Sequence, residues 1–230
     1  MKVGIIGDEP AGPVLAKAWA GAGHEVIGVH VESPEAIERV EALLPDIPIA
    51  PMAAVAEDAE LLVLAVPNDD AELTCAGLAD LGLFGPRKIV LHLSPHRGYG
   101  ILADAARHGA IPIAMHPLMH FTGTSMDLAV MQNATMVVTT PDTYRPIAQA
   151  LVIELGAEPF ELSEHQRAAY SEAFEVASGF SSLVVQQAMG ILAEAEVMEP
   201  AKLIAPVVRS AVDDALAKPV MPIDPEDAQP

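Results

Sequence analysis

Short apolar runs of strand length alternate with segments of helical pattern along the first two-thirds of the chain. Lys2–Gly7, Glu25–Val31, Ile47–Ile49, Leu61–Val66, Lys88–Leu93 and Ile111–Met115 read as strands. Helices are predicted between them, over Val14–Ala20, Pro34–Leu44, Met52–Glu57, Ala71–Leu81 and about Gly100–His108. Leu61–Val66 is apolar at every position, as a parallel strand covered on both faces should be. Two more strands, Thr135–Thr139 and Pro159–Leu162, flank a helix over Asp142–Leu155. The pattern changes at Ser163. From there to Leu216 it is helical throughout, opening on a capping box, Ser163-Glu164-His165-Gln166. One long helix is expected to about Glu196, and a last one from Pro200 to about Ala217. Its apolar positions, including Phe174, Phe180, Leu183, Val184 and Ile191, cover too much of its circumference for a lone surface helix. It is expected to lie against the sheet and against a second subunit.

Strands alternating with helices predict an α/β fold, a Rossmann-like doubly wound parallel sheet, followed by a smaller all-helical C-terminal domain. The expected boundaries are 1–162 for a dinucleotide-binding domain, 163–217 for a helical dimerisation domain and 218–230 for a disordered tail rich in proline and acid. Ligands of such sheets bind outside the carboxyl ends of the strands. That rule makes candidates of Gly7, Val66, Asn68, Ser94, His96 and His116.

The turn after the first strand is Gly7-Asp8-Glu9-Pro10-Ala11-Gly12. In a dinucleotide-binding unit the first glycine permits the turn, the second admits a pyrophosphate and the third lets helix pack on strand. Gly7 and Gly12 hold the first and third places, and Glu9 stands in the second. Its side chain and charge compete with an anionic ligand at a helix N-terminus. The cofactor expected here is therefore NAD or NADP, with binding impaired by Glu9, and an empty phosphate site is the alternative. His30 and Glu32, about 20 residues on, are candidates for the adenine ribose; no arginine follows to mark a 2′-phosphate site.

A net charge of −20 argues against nucleic acid or an anionic membrane as partner. Cys75 stands alone, which excludes an internal disulfide and suits a cytoplasmic setting. No signal peptide is evident before the first strand, and the apolar stretch Val176–Ala193 carries Ser178, Ser181, Ser182, Gln186 and Gln187, so it reads as a buried helix rather than a membrane span.

His116, at a strand end and fixed by Pro117, is a candidate general acid, since imidazole titrates near neutrality. Its alternative is a histidine that shapes the loop. Ser94 is a candidate donor to a nicotinamide carboxamide or a helix cap. Asn68 either meets a ribose or closes an Asx turn. Tyr170 is a candidate on the long helix, or core. Thr122, Thr124 and Ser125 either bind an anion through backbone N–H groups or cap the next turn. Four histidines (92, 96, 116 and 120) do not predict a metal site, because Pro117 opposes a helix that would align His116 with His120.

Several stretches together resemble a known family: Leu91-His92-Leu93-Ser94, Gly109-Ala110-Ile111-Pro112, Pro146 to Leu151, Glu164 to Tyr170 and, above all, His116-Pro117-Leu118-Met119-His120-Phe121-Thr122-Gly123-Thr124-Ser125. The chain resembles, over about Met1 to Leu216, Rossmann-like oxidoreductases of the 6-phosphogluconate dehydrogenase-like group with a C-terminal helical domain of unassigned function. These are related to pyrroline-5-carboxylate reductase, and their actinobacterial branch is the most similar. The resemblance implies NAD(P)-dependent hydride transfer to a small carbonyl or imine, and a homodimer through the helical domain. Three departures stand out: the missing middle glycine, Ser171 and Gly179 where the family's long helix carries histidine and asparagine, and an acidic tail where its chain usually continues. They imply altered cofactor use or lost activity, in which case the chain would be a binding or regulatory protein.

Overall fold

In the computed structural model, which describes residues 1–67 and 70–219, the apolar runs assemble into one seven-stranded sheet. Its strands are β1 (Lys2–Ile6), β2 (Glu25–His30), β3 (Leu61–Leu64), β4 (Ile89–His92), β5 (Ile111–Pro117), β6 (Thr135–Thr139) and β7 (Glu158–Glu161). The order is β2-β1-β3-β4-β5-β6-β7. Every pair is parallel except β5–β6. β3, β4 and β5 are buried at every position, the condition that selects unbroken apolar runs.

Alternation along the strands divides the core in two. Leu61 and Val63 of β3 face one apolar cluster, with α1 (Ala11–Gly21), α2 (Pro34–Leu43) and α7 (Arg145–Glu154). Leu62 and Leu64 face the other, with α3 (Met52–Asp58), α4 (Asp70–Asp80) and α5 (Ala103–Arg107). Trp19 of α1 is fully buried in the first cluster and donates its indole N–H to the carbonyl of Leu151 at 3.2 Å, tying α1 to α7.

Two expectations give way. The strand over Ile47–Ile49 is reduced to a single bridge between Val29 and Ile49, because Pro48 has no N–H to extend a ladder. The sheet is not wholly parallel. The segment between β5 and β6 contains only the six-residue α6 (Met126–Met131), so the chain turns back at the end where β5 stops. Pro117 pairs with Met136, and the N–H of Leu118 reaches the carbonyl of Thr135 at 2.9 Å. Residues 118–134 therefore stay beside the carboxyl end of the sheet.

The described chain divides into two compact units, Met1–Glu172 and Ala173 onward, so the division falls inside the helical region rather than at Ser163. The capping box forms, with the Ser163 side chain and Gln166 serving each other's backbone. The helix after it runs to Glu194, close to the expected Glu196, with changes of pitch along it. A 3₁₀ turn (Glu164–Gln166) leads into α8 (Arg167–Glu175), then a π-turn (Val176–Phe180) and α9 (Ser181–Glu194). Ser178 donates its hydroxyl to the carbonyl of Phe174 at 2.7 Å within the turn, the back-bonding that disturbs a helix ladder. In the second unit, α9 packs on α10 (Pro200–Leu216), yet neither has a buried residue. Phe180, Leu183, Val184, Ile191 and Val207 are each more than half exposed. Two helices alone have too little surface to enclose them. The segment Glu164–Glu194 is long and apolar enough, by length and composition, to cross a membrane. The tail from 220 lies outside the described residues.

Gly7 packs directly against backbone in the first unit. Its φ is +118°, and a β-carbon there would sit 2.2 Å from the carbonyl oxygen of Ala65. Gly7→Ala should destabilise this unit by about 2–4 kcal/mol through backbone strain and overpacking; a urea titration that shows no loss would contradict the placement of the turn.

Candidate functional site

The turn from Gly7 to Pro10 separates two clefts at the carboxyl end of the sheet, both floored by Val66 and Pro67. One, about 410 Å³, is lined by Gly7, Asp8, His30, Glu32 and Thr74 among others. The other, about 300 Å³, is lined by Glu9, Ala11, Ser94, Pro95, His116, Met119 and Phe121. This pair of hollows on either side of a glycine turn has the layout that holds the two nucleosides of a dinucleotide. Residues 118–134, kept at this end by the antiparallel return, furnish Met119 and Phe121 of the second cleft's wall. A larger, polar hollow of about 600 Å³ lies elsewhere, along Tyr99, Arg145, Glu161 and His165; its lining includes the capping box but none of the candidate catalytic or cofactor residues.

The glycine turn fits a dinucleotide in shape. Gly7 allows the turn, and Gly12 approaches the sheet so closely that a β-carbon would lie 2.8 Å from that of Ala65. The pyrophosphate cradle is short of donors. A helix N-terminus binds phosphate through its free leading N–H groups. Here the helix is capped by Pro10, which has none, and Pro13 in the first turn has none either. The N–H of Glu9 goes to the carbonyl of Ala65 at 2.9 Å and that of Gly12 to Glu9 at 3.1 Å. The sequence singles out Glu9; the structure adds that Pro10 and Pro13 bring no N–H to the turn.

Asp8 does not stand at its own helix. Its carboxylate accepts from the N–H groups of Glu32 and Ser33 at 2.8 and 2.9 Å, at the start of α2. Burial pushes the Asp8 carboxyl up, but these bonds and the charge of Arg39 outweigh it and hold it below the ordinary value. The same device recurs twice. Asp127, buried, accepts from the N–H groups of Thr122 and Gly123 and from the Thr122 hydroxyl at 2.8–2.9 Å, and from Thr124 at 3.3 Å. The hydroxyl-rich loop is thus filled by the chain's own carboxylate, which leaves the capping role of the two that the sequence offered. Glu164 accepts from Tyr99 and Gly100 at 3.0 Å. A β-carbon on Gly98 would lie 2.1 Å from its carboxylate oxygen, so a side chain there would displace the Glu164 carboxylate.

His116 and Tyr170 come together. The imidazole Nδ1 and the phenol oxygen are 2.6 Å apart, with the rings edge to face. Burial first, then the charge of Arg167, pushes His116 down to about 4, so it is neutral at pH 7. Burial raises Tyr170, partly opposed by Arg167, so the phenol keeps its proton. Arg167 is the group sequence reasoning missed. It is 3 % exposed, lies 5.4 Å over the Tyr170 ring and donates to the Thr139 hydroxyl at 2.8 Å and, more weakly, to the carbonyls of Pro95 and Ala114. Its place in Glu164–Tyr170, three residues before Tyr170 and so on one helical face with it, was the available signal.

His92 orders the loop that carries Ser94. It is wholly buried, its Nε2 bonded to the carbonyl of Gly98 at 2.9 Å, while its Nδ1 receives the N–H of Ser94 at 3.2 Å. Burial pushes it down to about 4 despite the Gly98 bond. The Ser94 hydroxyl accepts from the N–H of His96 at 3.2 Å, the turn-capping reading, and it also lines the 300 Å³ cleft. His96 bonds Ser171 at 2.8 Å. His30 is tied to the carbonyl of Ala50 at 3.1 Å and sits 3.6 Å from Glu32. Asn68 lies outside the described residues. Among the described residues no three His, Cys, Asp or Glu side chains converge as a metal-ligating group.

A family model for a Rossmann-like domain matches residues 1–117, half of the chain, and one for a domain of unknown function (DUF2520) matches residues 134–223. The chain belongs to the Rossmann-like family. No curated protein sequence matches it. Among solved structures it is similar to a proposed NADP oxidoreductase from Bacteroides fragilis (15% identity, TM-score 0.74, covering 100% of this chain and 83% of that one). It is also similar to an imine reductase from Streptomyces aurantiacus (18%, 0.69, 93% and 73%). A third is a semialdehyde dehydrogenase NAD-binding protein from Cupriavidus necator, solved with calcium and NAD (16%, 0.67, 97% and 86%). At these identities the likeness is one of fold.

Two outcomes test the electrostatics. His92 is neutral when folded and titrates near 6.5 when unfolded, so the unfolded chain binds the extra proton between those values. Stability should therefore fall as pH drops from about 6.5 towards 4, by about 3 kcal/mol from this group, and thermal melts of His92→Asn should lose that part of the slope. Arg167→Met should raise the His116 titration midpoint, followed by NMR of the imidazole, while leaving it below 6.5 because burial remains.

Proposed function

We propose that the chain is an NAD(P)-dependent oxidoreductase acting on a small carbonyl or imine, working in the cytoplasm as a homodimer through its helical unit. The observation that carries this reading is the His116–Tyr170 pair, 2.6 Å apart, with His116 and Ser94 on the wall of the cleft beside the glycine turn. A bound nicotinamide would supply or accept the hydride. Gly7, Gly12 and Val66 would receive the dinucleotide, His30 and Glu32 the adenine ribose, and Ser94 the carboxamide through its hydroxyl proton. Tyr170, protonated at pH 7, and His116, neutral, share one hydrogen bond. They can pass its proton to a developing alkoxide or amine. Arg167 stabilises negative charge on the phenol as the proton leaves. The apolar faces of α9 and α10, bare in the single chain, suit a second copy of the same unit; we read Glu164–Glu194 as part of that interface rather than a membrane span. The family kinship expected from the sequence, with pyrroline-5-carboxylate reductase and an actinobacterial branch, belongs to this reading.

The donor-poor cradle supports a second reading, a Rossmann-like homodimer that has lost the cofactor and serves as a binding or regulatory protein. Calorimetric titration separates the two. Wild type should bind NADH or NADPH weakly, and Glu9→Gly with Pro10→Asn, which removes a charge and adds an N–H, should tighten binding about tenfold or more. No binding by either form at millimolar cofactor would leave the second reading. Where turnover is found among imines or 2-oxo acids, Tyr170→Phe should lower kcat about 100-fold or more. Light scattering should give twice the chain's mass, and Phe180→Asp with Leu183→Asp should halve it.

A further inference from the structure

The loop after β2 is where the adenosine ribose of a dinucleotide ends in this fold. A free 2′-hydroxyl is satisfied by a carboxylate acceptor, whereas a 2′-phosphate needs cationic or N–H donors. Here that loop leads into α2, ten residues long with Ser33 at its N-cap. The N–H groups that would meet a phosphate are those of Glu32 and Ser33, and both are held by the Asp8 carboxylate at 2.8 and 2.9 Å. Pro34 has no N–H, and that of Ala36 goes to the Ser33 carbonyl at 3.1 Å and the Ser33 hydroxyl at 3.3 Å. Arg39 of α2 turns its guanidinium to the backbone carbonyl of Asp8 at 3.0 Å. Its stem is fixed against the loop at Gly123, where a β-carbon would lie 2.4 Å from Arg39 Cδ. Asp8 and Glu32 both line the 410 Å³ cleft.

We infer that Asp8 is a built-in anion that occupies the 2′-phosphate position and makes the adenosine cleft selective for NAD over NADP. The inference rests on the dinucleotide-binding reading above. A phosphate entering this corner meets two carboxylates, and the two N–H groups that lead into it are already held; the unpartnered Nε of Arg39 is buried. To gain the α2 N–H groups it must displace Asp8, which then loses both bonds beside a second negative charge. A ribose diol meets the same carboxylates as acceptors. The chain would thereby differ in preference from the NADP oxidoreductase whose fold it shares.

The test is titration of the full chain with NADH and NADPH, for wild type and Asp8→Asn, which keeps an oxygen for one of the two N–H groups. NADH should bind wild type at least about tenfold more tightly than NADPH, and Asp8→Asn should shrink that ratio by strengthening NADPH. NADPH binding wild type equally or better would overturn the inference while leaving the oxidoreductase reading in place. A ratio unchanged in folded Asp8→Asn would overturn the role of Asp8. Failure of both dinucleotides to bind would remove the reading and the inference with it. Wild type alone gives the same contrast through 5′-AMP and 2′,5′-ADP, should the variant not fold: the second binding as tightly as the first would overturn the inference.

Discussion

The contact between the first turn and the end of β3 governs the site. Gly7 lies against the carbonyl of Ala65, Gly12 against its side chain, and the N–H of Glu9 closes on the same carbonyl. This close approach seats α1 on the sheet, separates the two clefts and sends Asp8 towards α2. It also spends a donor that a phosphate would use. The prolines at positions 10 and 13 bring no N–H to the same turn.

A chain with net charge −20 would be expected to repel anions everywhere. The structure is more specific. At three places a carboxylate is folded back onto backbone N–H groups: Asp8 on the α2 N-terminus, Asp127 on the loop before α6, and Glu164 on the loop after β4. Each satisfies donors that a foreign anion would otherwise find. Glu164 also ties the start of the C-terminal helical region to the loop of His96, and α8 carries Arg167 and Tyr170 onto the site. Arg167 bonds to β6 and to the backbone beside Ser94. A buried guanidinium without a carboxylate among its described hydrogen bonds is costly, and coulombic attraction to Tyr170 and Glu164 offsets part of that cost.

The sequence determined the alternation of the sheet and its helices, the two clefts' strand-end residues and the helical C-terminal region, because apolar period and glycine placement are local signals. His116, Ser94, Glu9 and Val66 line one cleft, and Gly7, His30 and Val66 the other, since the carboxyl-end rule follows from topology alone. Tertiary structure decided the rest. Whether β6 ran parallel depended on how the 118–134 segment packed, not on its composition. Asp8 and Asp127 read as ordinary acids until folding brought backbone N–H groups to them, and Asp8's partners lie 24 and 25 residues away. Arg167 carries no signal of its own in a helical pattern; only the approach of α8 to β5 and β6 buries it. Such pairings depend on distance in space, and no local period encodes them.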